Sequence, residues 1–353
     1  MAALAEVYRR FGESAAATSP LYERVALALS GSEEALRAIA AAPSRRRNPT
    51  AILAALHDLA LAGRAPELAA AYAARDGDAA ASAAIDALLR ITDAAGRRPL
   101  RADETGGHTV RRRTPLADET GRHTVLYPAV AEAARRMGAS AVGLIDVGRP
   151  AGLNLNVDRV GIAYDNGQSS GDPASPVQRS ASIVGGRPVP SGAVPEVVAR
   201  VVVDRDPVDV TDAEDARWLR ACLPPEQGAA LEAEIALVDP PLLLAGDPVE
   251  TLPAAFTHVP ADALPVVTTT WALSALPLES RLRFLHRLDE AARRPVAWVS
   301  VEGVGVAPSV PTLGDRRASG HSIIGLAELD HSTLRVEAVG RCWSRGRLLA
   351  WLA

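Results

Sequence analysis

The sequence predicts an α/β protein: a mostly parallel sheet with an antiparallel C-terminal hairpin and a helical N-terminal region. Three observations predict it. Short, continuous apolar runs recur at residues 141–147, 197–203, 242–245, 264–269 and 296–301. Helical spacing fills much of the chain between the later runs, notably at 213–223, 226–238 and 278–293. The first ninety-odd residues show helical spacing throughout. Apolar strands separated by helices suit a parallel sheet covered on both faces.

Taken in order, apolar positions recur at helical spacing in residues 4–11, 21–29, 51–61 and 85–91. Ser19-Pro20 and Asn48-Pro49 read as helix starts, each a capping side chain followed by proline in the first turn. Residues 1–95 therefore form a helical region, with the role of a cap open to it. Residues 96–125 hold a duplicated loop: the segment from Pro99 to Val110 returns from Pro115 to Val125. Two copies are too few for a solenoid. The second copy leads into a helix at 127–137, and residues 126–353 form the α/β domain. Its Gly, Ser and Pro-rich stretch at about 160–195 reads as an insertion of short strands or loop between the first two parallel strands. Residues 332–339 and 345–352 flank Gly340-Arg-Cys-Trp-Ser344 and predict the hairpin.

Composition excludes several functions. The net charge of −4, with signs interspersed, points to neither nucleic acid nor a membrane surface as partner. No apolar run has the length of a membrane span, and the N-terminus lacks a secretion-signal pattern. With only two cysteines, Cys222 and Cys342, the expectation is a cytoplasmic protein without a disulfide framework. The chain contains no lysine, so a GxxxxGK[ST] phosphate loop and a lysine Schiff base are impossible. No metal-binding spacing occurs among the seven histidines, and no metal is expected.

The loop after the first strand, Asp146-Val-Gly148-Arg149-Pro150-Ala-Gly152, is expected to join that strand to a helix, where open α/β sheets bind ligands. It lacks the G-x-G-x-x-G spacing, and a tight turn is the plainer reading. Asp204 and Asp247 follow the second and third strands. Each acid alone reads as a helix cap; three acids at three strand ends read as a nucleoside site.

These stretches carry a resemblance. Ile145-Asp-Val-Gly148 followed by Ala151-Gly-Leu-Asn-Leu155, Gly171-Asp-Pro-Ala-Ser-Pro-Val177, Asp206-Pro-Val-Asp-Val-Thr-Asp212, Asp215-Ala-Arg-Trp-Leu219 and Trp298-Val-Ser-Val-Glu-Gly303 look like an actinobacterial domain-of-unknown-function family with a class I methyltransferase-like, Rossmann-like fold. The resemblance runs from Ser19-Pro-Leu-Tyr-Glu23 to the end. It implies a sheet able to bind S-adenosylmethionine, with Asp146, Gly148 and Gly152 at the first loop, Asp204 at ribose and Asp247 near adenine. The chain departs from the family at Arg149-Pro150, where small residues are usual. Proline removes an amide donor and arginine adds bulk and charge in the path of the cofactor's amino-acid end.

Other candidates lie outside that loop. Glu119, Arg122 and His123 place a carboxylate, a guanidinium and an imidazole within five residues, a set able to move a proton and hold an anion, or else a solvated charged loop. Trp271 follows the fourth strand, where it could stack on substrate or pack in the core. Asp239-Pro-Pro-Leu242 resembles an amino-methylating motif but precedes its strand, as a turn would; His258, His286, His321 and His331 have no partner suggested by spacing. Three functions remain: a small-molecule methyltransferase of specialised metabolism, with the helical region closing over substrate; the same scaffold without cofactor, using Arg149 to hold a sulfated, phosphorylated or carboxylated substrate for cyclisation or elimination; or a non-catalytic binding subunit, homo- or hetero-oligomeric.

Overall fold

The computed structural model describes residues 1–16, 18–44, 47–96, 122–237, 240–331 and 333–353. The first copy of the duplicated loop, and Glu119 with the rest of the second up to residue 121, lie outside the described residues. Contacts divide the chain into two compact units, residues 1–119 with 210–232, and residues 120–209 with 233–353.

The first unit opens with six helices: α1 (Ala2–Ala15), α2 (Pro20–Gly31), α3 (Glu33–Ala41), α4 (Pro49–Leu61), α5 (Pro66–Ala74) and α6 (Gly77–Gly96). The two expected caps are in place. Ser19 Oγ accepts from the Tyr22 amide at 3.1 Å and Asn48 Oδ1 from the Ala51 amide at 2.7 Å. Each is followed by a proline whose missing N–H would have had no intrahelical acceptor. Tyr8, Leu29, Ile39, Leu53, Leu56 and Leu68 are fully buried between the helices. At roughly 2 kcal/mol for each large apolar side chain, this core holds the helices together.

The second unit begins with α7 (His123–Arg136) and β1 (Ala141–Val147). The insertion supplies β2 (Gly161–Tyr164), β3 (Ser169–Gly171) and β4 (Gln178–Ile183), and the chain continues into β5 (Glu196–Asp204). Helix α8 (Ala213–Ala221) and the first part of α9 (Gly228–Ile235) belong to the first unit; back in the second, β6 (Leu242–Ala245) follows, and α10 (Pro248–Phe256) leads to β7 (Leu264–Thr270). Then follow α11 (Leu278–Ala291), β8 (Val296–Gly303), β9 (Ser322–Asp330), β10 (Thr333–Trp343) and β11 (Leu348–Trp351). The eleven strands form one sheet in the order β3-β2-β4-β11-β10-β9-β8-β7-β1-β5-β6.

Strands β6, β5, β1, β7 and β8 are parallel, as their apolar runs require. Alternate residues feed two cores. Val142, Leu144, Val266 and Val299 pack with Leu126 and Val130 of α7 on one face. Ile145, Val267 and Trp298 pack with Leu252 of α10 and Phe284 and Leu288 of α11 on the other. Trp298 is fully buried, meets Phe284 edge-on at 5.5 Å, and donates from Nε1 to Thr269 Oγ1 at 3.0 Å. Helix α7 contains Pro128, which has no N–H for the Thr124 carbonyl; Tyr164 Oη donates to that oxygen instead, at 3.1 Å.

Helices α3 and α5 lie inside the expected helical region but outside its named apolar segments, and α10 follows Asp247, which taken alone reads as a helix cap. Three expectations change. The element after β1 is a short 3-10 helix, Leu153–Arg159, in place of the expected helix. The C-terminal part is a meander, with β9 antiparallel to both β8 and β10. The hairpin turn lies later than Gly340: β10 runs on to Trp343, and Ser344, Arg345 and Gly346 make the turn at positive φ. Gly340 sits within the strand because a Cβ there would meet the Ala350 carbonyl oxygen at 2.8 Å.

Candidate functional site

The order β6-β5-β1-β7-β8 carries the chain outward in one direction from β1 and then in the other from β7. Between the carboxyl ends of β1 and β7 the connections diverge, leaving the crevice where doubly wound sheets bind ligands. Asp146 of β1 and Thr268 and Thr270 of β7 are buried there. Thr268 Oγ1 donates to Asp146 Oδ1 at 2.8 Å, and Asn154 Nδ2 contacts Asp146 Oδ1 at 3.3 Å and Thr270 Oγ1 at 3.1 Å. Asn154 comes from the 3-10 helix, which Arg200 of β5 fastens by donating to both Asp158 oxygens at 2.8 and 2.9 Å.

Two guanidinium groups complete the arrangement. Arg149 Nε donates to the Thr270 carbonyl at 2.8 Å and to its Oγ1 at 3.1 Å. The Arg122 amide donates to Asn154 Oδ1 at 2.9 Å, which fixes the entry to α7. Both guanidinium carbons lie against the Trp271 ring, 5.3 Å from its centroid for Arg122 and 6.0 Å for Arg149. Such contacts contribute about 0.5–2 kcal/mol each. Trp271 has φ 52, a strained conformation for a bulky residue. Its amide donates to the Val301 carbonyl at 2.9 Å and its Nε1 to Ser322 Oγ at 2.7 Å. The next two amides, of Ala272 and Leu273, donate to Glu302 Oε1 at 2.9 and 3.0 Å.

His123 is the first residue of α7, beside Arg122, and is fully buried. Its Nε2 lies 2.6 Å from Glu234 Oε1, and Glu234 Oε2 accepts from Arg179 of β4. Asn156 Nδ2 donates to the Glu234 carbonyl at 2.8 Å. His123 Nδ1 has no hydrogen-bond partner among the described residues. A carboxylate thus fixes the ring through one nitrogen and leaves the other for a proton, the arrangement by which acid/base histidines are oriented.

The candidate cofactor residues all make contacts within the protein. Asp146 is a fully buried strand residue engaged with Thr268 and Asn154. Gly148 and Gly152 have φ of 75 and 65, and a Cβ would meet Ala272 Cβ at 2.6 Å and Val202 Cγ2 at 2.5 Å respectively. Their close approaches are to the protein itself. Asp204 accepts from the Asp206 amide at 2.8 Å within its own turn, and burial raises its pKa. Asp247 caps α10, accepting from the Val249 amide at 3.0 Å, and its other oxygen pairs with Arg205 at 2.5 Å. Among the described residues no three His, Cys, Asp or Glu side chains cluster as a metal would need.

The structure therefore brings together Arg122, Arg149 and Trp271, sets His123 beside them in sequence, and leaves Asp247 outside this cluster. His321, which spacing left without a partner, lies 2.9 Å from Asp315. Glu302, Glu234, Arg179 and Asn154 were not singled out by sequence reasoning. Asn154 and Glu302 stand within two of the stretches that carry the resemblance; Glu234 meets His123 across 111 residues of chain, which no spacing rule reaches. Glu302 is 1% exposed, and burial pushes its carboxyl up to about 7 against the Leu273 and Ala272 amides and the charges of Arg149 and Arg281. Burial also pushes the Cys342 thiol up to about 12, which makes it a poor nucleophile.

No helix among the described residues is long and apolar enough to cross a membrane. No curated protein matches the chain. A family described as uncharacterized proteins conserved in bacteria (DUF2332) matches residues 5–351, and the chain belongs to that family.

Proposed function

We propose that this protein is a cofactor-independent enzyme that binds a small anionic molecule at the divergence of β1 and β7 and moves a proton with His123. The observation that carries the proposal is the pairing of Arg122 and Arg149 against one tryptophan ring at that crevice. Two guanidinium groups and the N-terminus of α7 concentrate positive charge there, and a carboxylate, sulfate or phosphate is the complementary ligand. His123, oriented by Glu234 and adjoining Arg122, is the acid or base, and Glu234 and Arg179 hold its ring.

A methyltransferase is the second reading, favoured by the strand order β6-β5-β1-β7-β8 and by the family resemblance. The loop residues do not fit S-adenosylmethionine well. Ala272 and Val202 crowd the two glycines, Asp247 is committed to a helix cap, and Arg149 brings a positive charge toward a sulfonium.

The test is a tryptophan-fluorescence titration with benzoate and with phosphate. A saturable change is expected in the wild-type protein, absent in Trp271→Phe and about tenfold weaker in Arg122→Ala, as the loss of one charge-assisted contact implies. No response to either anion, or a response unchanged in both variants, would remove the anion site.

A further inference from the structure

We propose that Ser319 is a phosphorylation site, the acceptor for a serine/threonine kinase that reads arginine two and three residues before its target. The residues are Arg316-Arg317-Ala318-Ser319, in the connection between β8 and β9. Among the described residues, no other serine or threonine has arginine at both of those positions. Two adjacent guanidinium groups at fixed offsets from a hydroxyl form a charge pattern that an acidic kinase cleft selects.

The fold presents this stretch as an arch. Its near end is fixed: Val304 is buried, and Val310 packs over Gly325, where a Cβ would meet Val310 Cγ2 at 2.7 Å. Its far end is fixed by Ser322, buried at the start of β9. Between them, residues 311–320 are exposed except for the half-buried Asp315. Asp315 Oδ2 is the clasp of the arch, accepting from Arg341 Nε at 2.6 Å and lying 2.9 Å from His321 Nε2. Ser319 ends a single 3-10 turn, Arg317–Ser319. Its amide donates to the Arg316 carbonyl at 2.9 Å, and its Oγ accepts from the Arg316 amide at 3.3 Å. A kinase engages its substrate in extended form, and opening one exposed 3-10 turn costs far less than displacing a strand.

In the transfer, Ser319 Oγ attacks the γ-phosphorus of a nucleoside triphosphate held by the kinase. The Oγ–P bond forms and the bond from the γ-phosphorus to the bridging oxygen breaks. Nucleoside diphosphate leaves, and the hydroxyl proton passes to the kinase's catalytic carboxylate. The product adds about two negative charges beside Arg316 and Arg317. The phosphate then competes with Asp315 for His321 and Arg341, so the modification acts on the clasp.

This site does not depend on anion binding at the Trp271 ring, so its failure leaves the proposed function standing. The experiment incubates the folded full chain with magnesium ATP and a soluble extract of the bacterium that encodes it, and maps phosphate by peptide mass spectrometry. The wild type should carry phosphate on Ser319, and Ser319→Ala should carry none in that peptide. Arg316→Ala and Arg317→Ala should each slow the modification about tenfold, as the loss of one charge-assisted contact implies. All three side chains are exposed, so the variants should unfold at the wild-type temperature. Thr114 follows Arg111 and Arg112 at the same spacing, outside the described residues, and serves as the internal comparison. Absence of phosphate from Ser319 of the folded wild type, or phosphate on Thr114 alone, overturns the proposal. So does a rate unchanged in both arginine variants, or modification of Ser319 only after thermal unfolding.

Discussion

Replacing Glu302 by glutamine tests how the turn that carries Trp271 is held. The side chain keeps its shape, and its carbonyl oxygen can still accept from the Ala272 and Leu273 amides. What it loses is the titration. In the folded protein burial raises this carboxyl from 4.5 to about 7. Protonation is therefore favoured in the folded state, and its stabilising contribution is fully present below pH 4.5. That contribution is lost as pH rises through about 7. A shift of this size corresponds to about 3 kcal/mol, to order of magnitude. Urea unfolding of wild type and Glu302→Gln at pH 5, 6, 7 and 8, followed by tryptophan fluorescence, reads it as a difference in slope. The wild type should lose about 3 kcal/mol relative to the variant between pH 4.5 and 8, most of it below pH 7. Parallel curves would refute the reasoning, since they would mean that Glu302 titrates in the folded protein as it does in the unfolded chain.

Three further substitutions separate packing from ligand binding. Gly148→Ala places a Cβ 2.6 Å from Ala272 Cβ at φ 75, and should lower stability by about 2–4 kcal/mol with no ligand present, measured by thermal unfolding. Asp247→Ala removes a helix cap and should cost about 1 kcal/mol while leaving the fluorescence response to benzoate unchanged; a lost response would give Asp247 a place in the site. Glu234→Ala strips the acceptor from buried His123 and from Arg179, and should destabilise the protein by about 3–5 kcal/mol in denaturant titrations. A loss below about 1 kcal/mol would mean that the trio is not coupled as its geometry implies.

The parallel strands were legible from their continuous apolar runs, and β1, buried along its length, and β6, partly exposed at the sheet edge, match the expected bounds at both ends. The meander was not, for a reason visible at two glycines. Gly325 in the middle of β9 and Gly340 in β10 look like breaks, yet each lies where a Cβ would collide, with Val310 at 2.7 Å and with the Ala350 carbonyl oxygen at 2.8 Å. Helix α10 carried a plain signal. Asp247-Pro248 is the same cap-and-proline pair as Ser19-Pro20 and Asn48-Pro49, and the reading of this acid alone as a helix cap is the one the structure bears out. At the site, Arg149 and Trp271 were legible from their places after strand ends. Their meeting with Arg122 was not, because it depends on Asn154 reaching from the 3-10 helix to the Arg122 amide. Glu302 was hidden for a similar reason: its acceptors' partners lie in a turn that follows a different strand.

The central claim is that the crevice between β1 and β7 holds an anion and not the cofactor its strand order suggests. Calorimetric titration of the wild-type protein with S-adenosylmethionine measures this directly, alongside a variant in which Arg149-Pro150 is replaced by Ala-Ser. The account predicts no measurable heat from the wild type at about 100 μM cofactor, and whatever affinity the scaffold retains only in the variant. Micromolar binding by the wild type, about −8 kcal/mol, would contradict it and return the protein to the methyltransferases.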